Sequence, residues 1–262
     1  MKQIAELIKQ GNVVFFCGAG LSAESGVPTF RGKDGLWEKY DPRLYVTEDG
    51  LFSRLVSYPF ELSNFIVELY TILLDAKPNR AHFYMADWEK KGWVNGVITQ
   101  NIDDFHVRAG SVNVAQIHGN AYTFVCRKGH HAAQKSQDQW RKFLDRIRFA
   151  PRGRDIIREI LRFSGRCPEC KRRLESGIVL FGQQLPEAAL SRSYELINSA
   201  RTVICVGSSG VVYPAAALPY QAKEKGAKII NVNPEATPLD DIAHEVFRQS
   251  AVEFFQKLSL LL

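Results

Sequence analysis

Three of the five cysteines, Cys126, Cys167 and Cys170, stand among polar and charged residues, whereas Cys17 and Cys205 sit in apolar runs where a small buried hydrophobe is expected. The spacing Cys167-Pro168-Glu169-Cys170 lets two thiolates grip one tetrahedral zinc ion. Three loops offer different chemistry. Gly18-Ala19-Gly20-Leu21-Ser22-Ala23 follows an apolar run, and a glycine-rich turn after the first strand of a sheet lets a pyrophosphate approach backbone N–H groups. Ala23 takes the place of the third glycine of the usual dinucleotide fingerprint, so this turn alone does not single out a dehydrogenase. Gly207-Ser208-Ser209-Gly210 and Asn231-Val232-Asn233 end two later runs. Small and amide residues gathered at strand ends form a nucleotide crevice, although each loop taken singly reads equally well as an ordinary strand-to-helix turn.

The elements that must position these residues alternate along the chain. Apolar runs at 13–17, 93–98, 202–206 and 228–232 are separated by helical stretches such as 79–91 and 214–225. Strands too apolar to face water on either side imply a parallel sheet covered by helices, which predicts an α/β, Rossmann-like fold with helices on both faces. From Cys126 to Cys170 the apolar runs stop. Trp140, Phe143, Leu144 and Ile147 fall at helical spacing, as do Ile156, Ile157, Ile160 and Leu161, so a small module with two amphipathic helices is inserted there. The expected division is a nucleotide-binding domain at 1–118 and 179–262, with a zinc-binding helical module at 119–178.

A chain of 262 residues with 45% apolar content can bury a full core. The start of the chain lacks the pattern of a secretory signal, and no apolar run reaches the ~18–20 residues that a membrane span needs. With an odd number of scattered cysteines, these features lead us to expect a reducing cytoplasm and no membrane contact; a monomer is also expected, although nothing in the sequence speaks to oligomeric state. The net charge of +6 is local: between Arg127 and Arg173 stand fifteen Lys or Arg against five Asp or Glu. That excess suits a nucleic acid or an acidic partner, or simply a solvated basic surface.

The first loop extends into Gly18-Ala19-Gly20-Leu21-Ser22-Ala23-Glu24-Ser25-Gly26-Val27-Pro28-Thr29-Phe30-Arg31-Gly32, which closely resembles the opening motif of the sirtuins. Gln100-Asn101-Ile102-Asp103 and Ile117-His118-Gly119 resemble the family's two active-site motifs. Ile178-Val179-Leu180-Phe181-Gly182, Gly207-Ser208-Ser209 with Val211-Val212-Tyr213-Pro214, and Thr237-Pro238-Leu239-Asp240-Asp241 continue in the family's order over nearly the whole chain.

The resemblance implies an NAD-dependent protein-lysine deacylase. In sirtuins the acyl oxygen of a modified lysine displaces nicotinamide from NAD, after which a ribose hydroxyl must lose a proton and attack. His118 is the implied base, an imidazole being the side chain that titrates near neutral pH unperturbed. Asp103 and the backbone near Ile102 would take the carboxamide of nicotinamide, with Asn101 and Gln100 at its ribose, since a carboxylate only accepts hydrogen bonds and an amide does both. Gly18, Ala19, Gly20, Ser22, Ala23 and Arg31 would lie along the ribose and phosphates, and Phe30 would shield the reactive carbon. Gly207, Ser208, Ser209, Asn233 and Ala251 would line the adenosine side. The acylated peptide would add as a strand between extended segments holding Val179, Phe181 and Gly182 on one side and Val211 and Tyr213 on the other.

The sequence departs from the family at three places. The first cysteine pair of the zinc site is broken, so Cys126, His130, Cys167 and Cys170 are the expected ligands, with His131 as the alternative to His130 and a metal-free module as the other reading. Gln183 stands where a Glu is common. Ile66 and Leu69 occupy positions where desuccinylating relatives carry a Tyr and an Arg, which implies neutral acyl groups. Two rivals remain on sequence grounds: an ADP-ribosyltransferase or NAD hydrolase, disfavoured by the peptide-strand segment, and a non-enzymatic NAD-sensing scaffold, disfavoured by the presence of both His118 and Asp103.

Overall fold

A computed structural model describes residues 1–29 and 36–262, apart from the side chain of Trp37; Phe30 and Arg31 lie outside the described residues. The chain forms two compact units, the first from Met1–Thr29, Lys77–His118 and Leu185–Leu262, the second from the described part of Phe30–Ala76 and from Gly119–Gln184.

Numbered along the chain, β1 (Val13–Cys17), β2 (Val94–Thr99), β3 (Val114–Gln116), β7 (Thr202–Val206), β8 (Lys228–Val232) and β9 (Glu245–Phe247) build the sheet of the first unit. They are all parallel, in the order β3-β2-β1-β7-β8-β9. The order runs outward from β1 in both directions, so the connections reverse between β1 and β7, and a crevice opens beyond the carboxyl ends of those two strands.

Side chains of β1 alternate between two cores, as a strand covered on both faces requires. Val13, Phe15 and Cys17 pack with residues of α1 (Lys2–Lys9), α6 (Arg80–Lys90) and α12 (Ala251–Ser259), while Val14 and Phe16 pack with residues of α10 (Glu187–Ser199) and α11 (Ala217–Glu224). Phe15 lies 5.4 Å from the Phe255 ring, which stacks on Trp88 at 5.3 Å. A short helix, α7 (Phe105–Ala109), follows β2. Asn79 caps α6 by accepting from the Ala81 N–H and donates to the Leu21 carbonyl at 2.7 Å, which fastens the helix start to the glycine turn.

The second unit holds α2 (Leu36–Lys39), α3 (Pro42–Tyr45), α4 (Glu48–Ser57), α5 (Pro59–Asp75), α8 (Gln137–Arg148) and α9 (Gly153–Ser164). With them goes an antiparallel sheet of β4 (Gly119–Val125) between β5 (Ala132–Gln134) and β6 (Glu175–Ile178). The two inserted helices form where their apolar stripes place them, and Trp140, Phe143, Leu144 and Ile147 are all buried. Ser136 and Gln139 close a reciprocal cap at the start of α8.

The division differs from the one expected at 119–178, because the segment before Ala76 packs with the insert. The stripe on α8 needs an apolar partner, and α5 supplies it: the Tyr70 ring stacks on Trp140 at 3.8 Å, and its hydroxyl donates to the Ala121 carbonyl at 2.9 Å. Ser63 also donates to the Ile147 carbonyl.

Candidate active site and metal centre

At the switch between β1 and β7 two glycine turns interlock. The Gly18 N–H donates to the Val206 carbonyl and the Gly20 N–H to the Gly207 carbonyl at 2.9 Å. A Cβ on Gly18 would sit 2.7 Å from the Gly207 oxygen, and one on Gly20 would sit 2.8 Å from the Gly207 Cα. Gly207 itself has φ +61°, and a Cβ there would stand 2.4 Å from the Leu21 nitrogen. These glycines are therefore required for the two loops to touch. Gly207→Ala is expected to destabilise the protein by about 2 kcal/mol or more, from left-handed strain plus the clash. An unchanged denaturation midpoint would show that the turns do not depend on this approach.

A buried polar cluster grows from these turns. Ser22 donates to Asp103 Oδ2 at 2.6 Å, and the Asn101 amide donates to the Gly18 carbonyl at 3.1 Å and to Ser22 Oγ at 3.2 Å. Ser22, Asn101 and Asp103 are all buried. The Gln100 amide donates to Ser208 Oγ at 2.9 Å, and the Asn233 amide donates to the Ser208 carbonyl at 3.0 Å. One hydrogen-bonded system thus joins the ends of β1, β2, β7 and β8. Burial raises the carboxyl pKa of Asp103, while the Ser22 hydroxyl and the Phe105 N–H, at 3.0 Å, work against that rise.

His118 follows β3, and its Nδ1 lies 3.1 Å from the Gln100 carbonyl. A carbonyl only accepts, so Nδ1 carries the proton and Nε2 is left as the basic nitrogen. Burial lowers the His118 pKa, partly offset by that carbonyl. Ala19, Gly20 and Ile102 are half-buried, Ala23 and Ser209 are exposed, and buried Ala251 opens α12, which Ser250 caps.

The helix after Asp103 brings His106 against His82 of α6, and the two form a buried histidine pair. His106 and His82 lie 5.0 Å apart, with both ring nitrogens of His106 and Nε2 of His82 unpartnered among the described residues. Burial pushes His106 down to about 3 and His82 well below its usual value. A depressed folded pKa means that protonation favours the unfolded chain. This stability is full above pH ~6.5 and is lost as pH falls toward 3, at up to about 1.4 kcal/mol per pH unit per group. The melting temperature is expected to drop between pH 7 and 5, and to drop less in His106→Leu. Equal slopes for the two proteins would remove the pair from the account.

In the second unit, ligand atoms of Cys126, His130, Cys167 and Cys170 lie within 4.8 Å of one another, and Cys126 Sγ is 3.6 Å from Cys170 Sγ. Two sulfurs at the ~2.3 Å of a zinc–thiolate bond stand about 3.8 Å apart in a tetrahedron, so three thiolates and one imidazole fit zinc. Two tight turns aim them. The Gly129 N–H donates to the Cys126 carbonyl with Gly129 at φ +72°, and the Lys171 N–H donates to the Cys167 carbonyl with Lys171 at φ +60°. His131 falls outside the cluster, since its carbonyl accepts the Cys126 N–H as the chain turns into β5.

Val179 is half-buried and Phe181 and Gly182 are exposed in the second unit; Val211 and Tyr213 are exposed in the first. The Phe181 N–H donates to the Val46 carbonyl at 2.8 Å. Sequence reasoning missed what braces this segment. The Gln183 side chain accepts from the Leu180 N–H at 2.8 Å and donates to Glu48 at 2.7 Å, and Arg127, beside Cys126, bridges Glu48 and Glu175. Gln183 stands out in the sequence as a departure, but nothing local points to Glu48. Asn231, in the sequence only part of an amide-rich loop, is fully buried and its amide donates to Thr237 and to Asp240; Arg248 beside Asp240 holds that carboxyl at about 2.

The strand order and the glycine turns at its switch point define an α/β protein of the Rossmann class. The Sir2 family model matches residues 18–214. The chain is 40% identical over 252 residues to an NAD-dependent protein deacylase of Pyrococcus furiosus, covering 96% of this chain and 93% of that protein. An NAD-dependent protein deacylase of Aquifex aeolicus is 38% identical over 247 residues, covering 94% of this chain and 93% of its own length. Among solved structures, a Sir2–p53 peptide–NAD+ complex matches with TM-score 0.77 and 32% identity, over 99% of this chain and 97% of that one. A Sir2 homologue mutant bound to ADP-ribose matches with TM-score 0.81 and 32% identity, over 100% and 96%. The chain belongs to the Sir2 family.

Proposed function

We infer that the protein is an NAD-dependent protein-lysine deacylase, passing the acyl group to ADP-ribose and releasing nicotinamide. The observation that carries this is the joining of His118, Gln100, Asn101, Ser22 and Asp103 at the reversal of the sheet, with a base at one end and a buried carboxylate at the other. NAD supplies a ribose carbon with nicotinamide as leaving group and a hydroxyl to receive the acyl group. Asp103 accepts from the nicotinamide carboxamide, and Asn101 and Gln100 hold the neighbouring ribose. Nε2 of His118 takes the proton from the ribose hydroxyl. Gly18, Ala19, Gly20 and Ser22 border the phosphates, and Ser208 and Asn233 border the adenosine. Zinc at Cys126, His130, Cys167 and Cys170 is structural, because four protein ligands leave it no open position. A reducing compartment goes with this reading, since three thiols must stay free of disulfides to hold the metal.

The acylated peptide pairs with extended backbone such as that around Val179 to Gly182. Release of nicotinamide from NAD that depends on an acylated peptide tests this reading. Equal release without the peptide would favour the NAD hydrolase. Leu69 is buried on α5 and Ile66 half-buried, so neither offers a charge to an acidic acyl group. Acetyl or longer aliphatic groups are expected to leave one peptide at least about tenfold faster than succinyl, as an apolar site rejects an unpaired carboxylate. Faster desuccinylation would overturn that preference.

A further inference from the structure

The basic excess of the insert collects along one row of α9. Arg154, Arg158 and Arg162 recur every fourth residue, which stacks them on one helix face, and Arg166 continues the row just past the helix end. All four are exposed. They line a groove of about 500 Å³, with Arg173 at its edge and half-buried Ile157 and Leu161 along its floor.

The carboxylates nearby are already taken: Asp155 sits between Arg152 and Arg158, and Glu159 between Arg146 and Arg162. Arg166 donates to the Lys171 carbonyl and Arg173 to the Leu161 carbonyl, which fixes two guanidinium groups beside the row. The groove therefore holds more positive charge than the fold neutralises.

We propose that this arginine row is a docking surface for the phosphate backbone of duplex DNA, read without regard to sequence. Among the described residues every cation lining the groove is an arginine, whose planar fork matches phosphate oxygens in pairs. The helix axis from Arg154 to Arg162 spans about 12 Å, against about 3.4 Å per phosphate along one strand, so the row meets an extended series of charges rather than a single anion. Among the described residues no aromatic side chain lines the groove, so unpaired bases would lack the aromatic platform that single-strand binders use, and this favours a duplex over a single strand. The apolar floor is narrow and half-covered, which gives an acidic amphipathic peptide little to bury.

The test is fluorescence anisotropy of a labelled duplex of mixed sequence with the intact zinc-loaded protein. Four to five phosphate contacts predict a slope of log K against log salt of about −4 between about 50 and 200 mM. Replacing Arg154, Arg158, Arg162 and Arg166 together by Gln is expected to weaken binding at least tenfold, with zinc content and deacylation of a short peptide unchanged. Arg154→Gln and Arg166→Gln singly are each expected to flatten the slope by about one; they keep the test decisive if the quadruple variant folds poorly. Undetectable binding at low salt, single variants that bind as the parent does, or tighter binding of poly-glutamate than of duplex would overturn the proposal. Direct binding of inorganic tripolyphosphate in calorimetry, with no binding of the duplex, would assign the groove to free oligophosphate and overturn it equally.

Discussion

His118→Ala is expected to slow acyl transfer by about 10²–10⁴-fold, the usual contribution of a positioned general base. Its Nδ1 is committed to the Gln100 carbonyl, so the reactive lone pair sits on Nε2, and alanine removes both at once. The KM for NAD is expected to change little, because the hydrogen bonds that join Ser22, Asn101, Asp103, Gln100 and Ser208 do not pass through the imidazole. A loss confined to KM with kcat preserved would make His118 a binding residue and remove it from proton transfer.

The pH profile carries a second signature. Burial lowers the His118 pKa, so the neutral, basic form dominates at pH 7 and persists below pH 6.5. In kcat/KM the acid limb attributable to this residue is expected to fall below that value. A limb above pH 7 would contradict the assignment.

Removal of zinc, or Cys167→Ser, is expected to lower the melting temperature by roughly 10 °C or more. Structural zinc binds its ligands with an apparent 10–16 kcal/mol in small peptide sites, and about 4 kcal/mol of that suffices for such a shift in a chain of this size. Cys167 is fully buried, and the four ligands tie the end of β4 to the turn that leads into β6. Without metal, three thiols and an imidazole crowd together with nothing to neutralise the thiolates. The paired helices α8 and α9 are expected to outlast the turns on chelation, since Phe143 and Phe163 stack at 4.1 Å against Trp140 independently of the metal. A well-folded, zinc-free protein melting at the same temperature would show that the module is not metal-dependent.

The parts of the molecule legible in its sequence are those where one physical requirement dominates. β1, β7 and β8 lie at the expected positions, because burial on both faces leaves an unbroken apolar run. β2 starts one residue late, at Val94, and α11 starts at Ala217 rather than Pro214, because three residues go into the turn before it. The second unit was harder to read. Its packing depends on Tyr70 meeting Trp140 across a separation that no local pattern records, so the sequence alone groups the helices before Ala76 with the other domain. The zinc ligands were narrowed to His130 or His131 by residue type, but the left-handed turn at Gly129 decides which of them faces the cysteines. Glu48 was invisible for the same reason, as it matters only through Arg127 and Gln183.

The place of β1 at the middle of the sheet has a consequence for the nascent protein. β1 leaves the ribosome well before its partner β7, which is encoded about 185 residues later. At about 5–20 residues per second, roughly 10–40 s of translation pass while one edge of an entirely apolar strand has no neighbour. Unpaired edges of that kind recruit other chains, so during synthesis this protein depends on cover that its finished sheet no longer needs.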